Sequence, residues 1–213
     1  MATRLSLYSG ALRTLGERAL ASLSEEREPR RLLDDAWDNG AVDYVLSTAQ
    51  WRFASRAVEL VPEDDIETSF GFVNAFQRPI DHVRTTGLCA DEFFNCPLEE
   101  YSYEAGYYYA DVNPIFLRYV SNHADFGGNL ADWPAAFTIY AQLYLASQII
   151  GSLTSAKIEP AALDKMLRKA RTEAASTDAM ESPTTRPPAG TWVRSRYGSG
   201  VRWDRGSRSR LIG

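Results

Sequence analysis

Histidines, cysteines, serines beside glycine and paired acids are the side chains in this chain that could assemble a reaction centre, and their spacing builds none. His82 and His123 are the only histidines. Neither belongs to an H-E-x-x-H run, the pattern that presents two imidazoles on one helical face for zinc. Cys89 and Cys96 form no C-x-x-C pair, and two cysteines cannot make a disulfide framework. A reducing, intracellular fold is the simpler expectation, with a local Cys89–Cys96 bridge as the alternative. Asp34–Asp35 and Glu99–Glu100 offer carboxylates for magnesium, but adjacent acids on a helix point in different directions and read as a solvated face. Gly127–Gly128 lacks the Gly-Lys-Ser/Thr that completes a phosphate loop, and Ser9 and Ser69 lack G-x-S-x-G surroundings. No catalytic residue, cofactor or metal is expected.

Charge is distributed unevenly. Residues 184–213 hold seven arginines (186, 194, 196, 202, 205, 208 and 210) against one acid, Asp204, a net of +6. Residues 1–183 hold 16 basic and 27 acidic residues, a net of −11. The terminal segment is rich in Gly, Pro and Ser and has neither helical nor strand periodicity. Alone it cannot bury enough apolar surface to offset its ordering entropy. It nevertheless carries Trp192 and Trp203 beside its arginines, and Trp and Arg dominate binding hot spots. An extended basic arm over 184–213 that folds onto a partner is the expectation. The overall charge of −5 argues against a general nucleic-acid binder, since only the arm has the right sign.

Six tyrosines fall between residues 101 and 119, with Tyr107, Tyr108 and Tyr109 consecutive. Strand alternation sends neighbouring rings to opposite faces, so these three are expected to put at least one ring outward. Exposed tyrosine is an interface residue type. Tyr107, Tyr108 and Tyr109 are therefore candidates for an interface, the alternative being a sheet face packed on helices.

The elements that must position these groups follow from periodicity. Leu5, Tyr8, Leu12, Leu15 and Ala19 share one stripe and predict a first helix, weakened by Gly10 and Gly16 unless a neighbour approaches closely. Pro29 suits a first turn, and Leu33, Trp37, Ala41, Tyr44 and Thr48 continue a second helix. Short runs over 56–60, 82–88, 100–103, 107–109 and 115–121, parted by Gly, Asn and Pro, predict a meander; 62–79 reads as loop. Residues 133–156 hold no charged side chain but are too polar and too broken by Gly151 to span a membrane, so a buried central helix is expected from Ala135. A last helix starts near Pro160. Charges at Arg4, Arg13, Glu17 and Arg18 interrupt any signal-peptide core. The expected fold is mainly α within the α+β class: a four-helix bundle with a small antiparallel β-meander (about 55–121) inserted between helices 2 and 3, forming a body over 1–183, plus the arm.

Several runs taken together resemble a known family. They are Leu7–Arg18, Glu28–Trp37, Gln50–Ala54, Phe76–Pro79, Arg118–Ser121, Trp133–Pro134, Asp178–Pro183 and Pro187–Arg196. The pattern is similar to that of the head-to-tail adaptors of short-tailed bacteriophages, also called tail tubular protein A, and covers residues 1 to about 198. The resemblance implies a structural virion protein, assembled in the host cytoplasm as a dodecameric ring at the head–tail junction. Its partners would be the portal protein, the tail nozzle (tail tubular protein B-like) and other copies of itself, with double-stranded DNA passing through the lumen unbound and no membrane involved. Family arms run along the portal, which suits the basic arm here and makes Trp192, Arg194, Arg196, Arg202 and Trp203 the proposed portal-binding residues; residues 199–213 extend beyond the family pattern, and portal contact, DNA contact and mobility are the alternatives for them. The same resemblance would make Tyr107, Tyr108 and Tyr109 a subunit or nozzle interface. The alternative is a nucleic-acid-binding accessory protein that grips phosphates with the same arginines.

Overall fold

The computed structural model describes residues 1–63, 65–66, 68, 71–153 and 157–181. Trp192, Arg194, Arg196, Arg202 and Trp203 lie outside the described residues. Met1–Glu181 forms one compact unit.

Helix α1 (Arg4–Thr14) begins with a reciprocal capping box in which the Ser6 amide donates to Thr3 Oγ1 and the Thr3 amide donates to Ser6 Oγ. Its stripe of Leu7, Tyr8, Ala11 and Leu12 is buried. It ends earlier than its apolar spacing predicts. Gly16 adopts φ +78°, and the amides of Gly16 and Glu17 donate back to Arg13 O and Leu12 O. That is a Schellman stop, which needs a residue free to enter the left-handed region. Gly10 lets the neighbouring helix close in, because a Cβ there would overlap the Gln142 side chain.

The second predicted helix is two. Helix α2 (Glu28–Asp38) has Pro29 in its first turn and stops before Gly40, whose φ of +85° interrupts the helix; helix α3 (Ala41–Ser47) starts from Gly40 as its N-cap. Helix α4 (Ala135–Ile149) is uncharged and packs against α1, α2, α3 and α5 (Pro160–Met180). The last of these meets it through a narrow line of Leu163, Ala170 and Ala174.

Between α3 and α4 the chain forms six strands: β1 (Ser55–Leu60), β2 (Asn74–Gln77), β3 (His82–Cys89), β4 (Ser102–Glu104), β5 (Tyr107–Ala110) and β6 (Ile115–Ser121). They make two three-stranded antiparallel sheets, ordered β1-β6-β3 and β2-β5-β4. Alternation along β6 sends Ile115, Leu117 and Tyr119 into a small core with Phe76, Leu88, Tyr108 and Ala110, while Val120 joins the core of the helices.

The expected four-helix bundle with a single meander between helices 2 and 3 is therefore incorrect. The molecule is an α+β fold of five helices and two sheets among the described residues. Two local causes account for the difference. Gly40 divides the second helix. Asn74–Gln77, inside the stretch expected to be loop, pairs with β5 and draws β5 and β4 into a sheet of their own.

Aromatic edges knit the helical core: the Phe137 ring lies 4.7 Å from those of Trp51, Phe53 and Trp133. Phe137→Ala is expected to lower unfolding free energy by about 3–5 kcal/mol in urea denaturation, as full truncation of a packed core aromatic does. A cost below about 1 kcal/mol would remove Phe137 from the centre of this core. Gly127→Ala tests close packing of another kind. Its Cβ would overlap the Ser121 carbonyl oxygen and crowd Ala54, so about 1–3 kcal/mol of destabilisation is expected from strain.

Candidate functional site

The densest convergence of polar side chains lies at one end of the β region. Asp81 precedes β3 and is buried. Its carboxylate accepts from Arg56 Nη1 at 2.8 Å on β1, from Tyr119 Oη at 2.9 Å and from Ser121 Oγ on β6. Burial alone would raise its pKa, but these hydrogen bonds outweigh it and hold the carboxyl below its ordinary range. The hydrogen bond to Asp81 is the main reason that the Arg56 guanidinium is held above its usual value. Burial, reinforced by the adjacent carboxylate, pushes the Tyr119 phenol up.

His82 continues the cluster towards the second sheet. Its ring stacks on Tyr119 at 5.3 Å, and Nε2 lies 2.9 Å from Thr85 Oγ1 and 3.2 Å from Tyr108 Oη. Thr85 and Tyr108 share a hydrogen bond of 2.6 Å, so β3 and β5 are tied across the two sheets. Burial, with Arg78 next in weight, lowers the His82 pKa. Nδ1 is buried and finds no hydrogen-bond partner among the described residues.

Chemically this arrangement is a joint. Three donors occupy the Asp81 carboxylate, Ser121 Oγ among them, and the imidazole of His82 faces Thr85 and Tyr108 instead. Among the described residues no group of three or more His, Cys, Asp or Glu side chains could hold a metal ion. His123 sits apart on the loop after β6, beside Asp125. Cys96 is exposed while Cys89 is buried, and both are free. Among the described residues no helix is long and apolar enough to cross a membrane.

The three consecutive tyrosines separate in environment. Tyr107 is partly exposed, whereas Tyr108 and Tyr109 are 2% and 7% exposed. Tyr108 and Tyr109 alternate across β5 and are both buried, so both faces of the strand are covered there, and Tyr107 at its start keeps partial exposure. The exposed rings nearby are Tyr101 and Tyr103, 43% and 45% exposed, on and just before the edge strand β4. Arg78 reaches Tyr103, its Nη1 donating to the phenol oxygen at 2.7 Å. Sequence spacing weighted Tyr107–Tyr109 because they are consecutive; edge position, which decides exposure, has no local signal.

A second feature unseen in the sequence is a shallow cleft where the chain leaving β1 passes the turn from β2 to β3. Glu59, Val61 and Glu63 form one wall and Arg78, Pro79 and Ile80 the other. Ile80 is fully exposed, and Val61 is 65% exposed.

His82 gives the joint a pH dependence whose sign is set by the direction of its shift. Its folded pKa lies below the ordinary value of 6.5, so the unfolded chain takes up the proton first as pH falls. Its contribution is complete above that value and is lost as pH drops from 6.5 towards the folded pKa. Asp81, with a lowered pKa, adds a similar loss further down in the carboxylate range, and Asp178, raised by burial, acts in the opposite sense there. Urea midpoints measured between pH 7.5 and 5.5 are expected to fall for the native chain and to flatten in His82→Gln. An unchanged slope in the variant would assign the effect to other groups.

Comparison with protein-family models and with curated proteins finds no match for the chain.

Proposed function

We propose that this protein is a structural head-to-tail adaptor of a short-tailed phage virion, joining portal to tail nozzle as a ring through which DNA passes. The resemblance of these runs to the adaptor family carries this reading, and several of them fall where the compact unit makes specific demands. Leu7–Arg18 supplies α1 with its Schellman stop, and Glu28–Trp37 supplies α2. Gln50–Ala54 places Trp51 in the aromatic core before β1. Arg118–Ser121 provides Tyr119 and Ser121 for the buried acid. Trp133–Pro134 leads into α4. The polar cluster, committed to holding the two sheets, supports a structural role.

Charge suits the same function. A channel that bound phosphates tightly would stall DNA, because neutralised phosphates make strong contacts. A ring of acidic bodies lets duplex slide, and a net negative lumen is part of the proposal; a basic lumen in a ring reconstruction would overturn it. The basic arm has a separate task, docking on the portal through Trp192, Arg194, Arg196, Arg202 and Trp203.

Co-sedimentation of the full chain with tailless, DNA-filled heads tests this. Binding at a fixed ring stoichiometry is expected, weakened by more than about 1 kcal/mol when Trp192 and Trp203 are both changed to Ala. The arginines of 184–213 keep a second reading in view, a nucleic-acid grip. That reading wins if heads are not bound while free DNA is, with log K falling against log salt by about 0.9 per phosphate neutralised.

A further inference from the structure

The cleft between the end of β1 and the β2–β3 turn has the marks of a built docking surface. Its exposed apolar side chains are held on fixed backbone. Ile80 stands one residue before the buried Asp81, whose three donors pin the turn, and the Arg78 amide donates to Gly106 O at 3.0 Å. On the other wall the Glu63 amide donates to Ala75 O at 2.8 Å. A single exposed aliphatic side chain is ordinary surface; here Val61 and Ile80 both line one cleft, on backbone anchored at each wall.

The charge around it is equally one-sided. Residues 55–121 contain twelve acids and four arginines, a net of −8, so this region carries most of the acidity of residues 1–183. Arg78, the cation of the cleft, is engaged by Tyr103, with its guanidinium carbon 5.9 Å from the ring centre. Neither Glu59 nor Glu63 has an ion-pair partner among the described residues. Two aliphatic anchors flanked by two open carboxylates call for an extended segment that sets an apolar ring beside cations. The chain itself contains such a segment: Trp192 with Arg194 and Arg196, and Arg202 with Trp203, in a stretch of net +6.

We infer that, before a portal is met, residues 184–213 of a second copy dock in this cleft, a tryptophan against Val61 and Ile80 and arginines on Glu59 and Glu63. The choice of a second copy rests on the adaptor function proposed above, since an arm-into-cleft contact is heterologous and is the type that propagates around a ring. The interface requires no portal, and the portal then competes for the arm.

Sedimentation velocity of the full chain over a range of concentrations at low salt tests the inference. Concentration-dependent association is expected. The Glu59→Lys/Glu63→Lys pair and, separately, Ile80→Asp should each weaken it by about tenfold or more, as loss of a hot-spot contact does. Glu99→Lys/Glu100→Lys, the same change in charge elsewhere in the acidic region, should alter it by no more than about twofold. All these side chains are exposed, and circular dichroism checks that each variant is folded. A monomer at every concentration overturns the inference. So does association weakened equally by both charge pairs, which is general electrostatics, or indifferent to the cleft, which is another interface. Head binding by the cleft variants separates the two ideas: it persists if only the arm-in-cleft contact is wrong, and is absent from the native chain too if the adaptor function is wrong.

Discussion

The helical layer depends on keeping water from α4. Its 15 residues carry no charge, and Phe137, Tyr140, Ala141, Leu143, Leu145, Ala146 and Ile149 are buried. A helix that is apolar nearly all round must be covered on several sides. Here α1 closes in over Gly10, α2 and α3 pack on it from either side of the break at Gly40, and α5 adds Leu163, Ala170 and Ala174. The two tryptophans beside it bury their rings only because each indole N–H has an acceptor, Val45 O for Trp51 and Gly127 O for Trp133. Asp178, near the end of α5, accepts the Arg52 amide next to Trp51, so the outermost helix and the innermost aromatic are secured at one point.

The β region answers a different problem. Two three-stranded sheets enclose a core of seven buried residues, which is small, and polar fastening supplements it. A buried carboxylate is costly unless its oxygens are satisfied, and Asp81 has donors from Arg56, Tyr119 and Ser121. One acid thereby connects β1, β6 and the start of β3, and His82 beside it extends the fastening to β5 through Tyr108. The same residues fix the turn that holds Ile80 in solvent. Stability of the small core and presentation of its surface are thus one arrangement of side chains.

Much of this was legible in the sequence, and its failures have local causes. The uncharged run from Ala135 and the helix starting at Pro160 formed as their composition and Pro position indicate. The strands over 82–89 and 115–121 did the same. In the sequence Gly16 reads as a weakness inside a helix, whereas it is the helix's stop; only φ distinguishes the two uses. Apolar spacing continues in register past Gly40 and masks the break there. Asn74–Gln77 is too short for alternation to register, and its partner is about thirty residues away, so no window contains the signal. The same limit hid the Asp81 joint, whose members span Arg56 to Ser121 and meet only after folding.

Charge segregation links these levels. Of the net −11 on residues 1–183, −8 falls within 55–121, leaving −3 for the rest, while 184–213 has +6. Nothing in the helical layer requires this distribution, since its surface pairs such as Arg4–Asp34 and Arg168–Asp164 mix both signs. The β region instead concentrates one sign around aliphatic side chains held in solvent by a buried acid. Self-repulsion among those carboxylates opposes folding of a region whose core is already small. An opposing cation-rich surface relieves that repulsion, and the relief adds to the affinity of whatever supplies it. Under the proposed adaptor function, a region charged in this way gains stability when a cation-rich partner covers it.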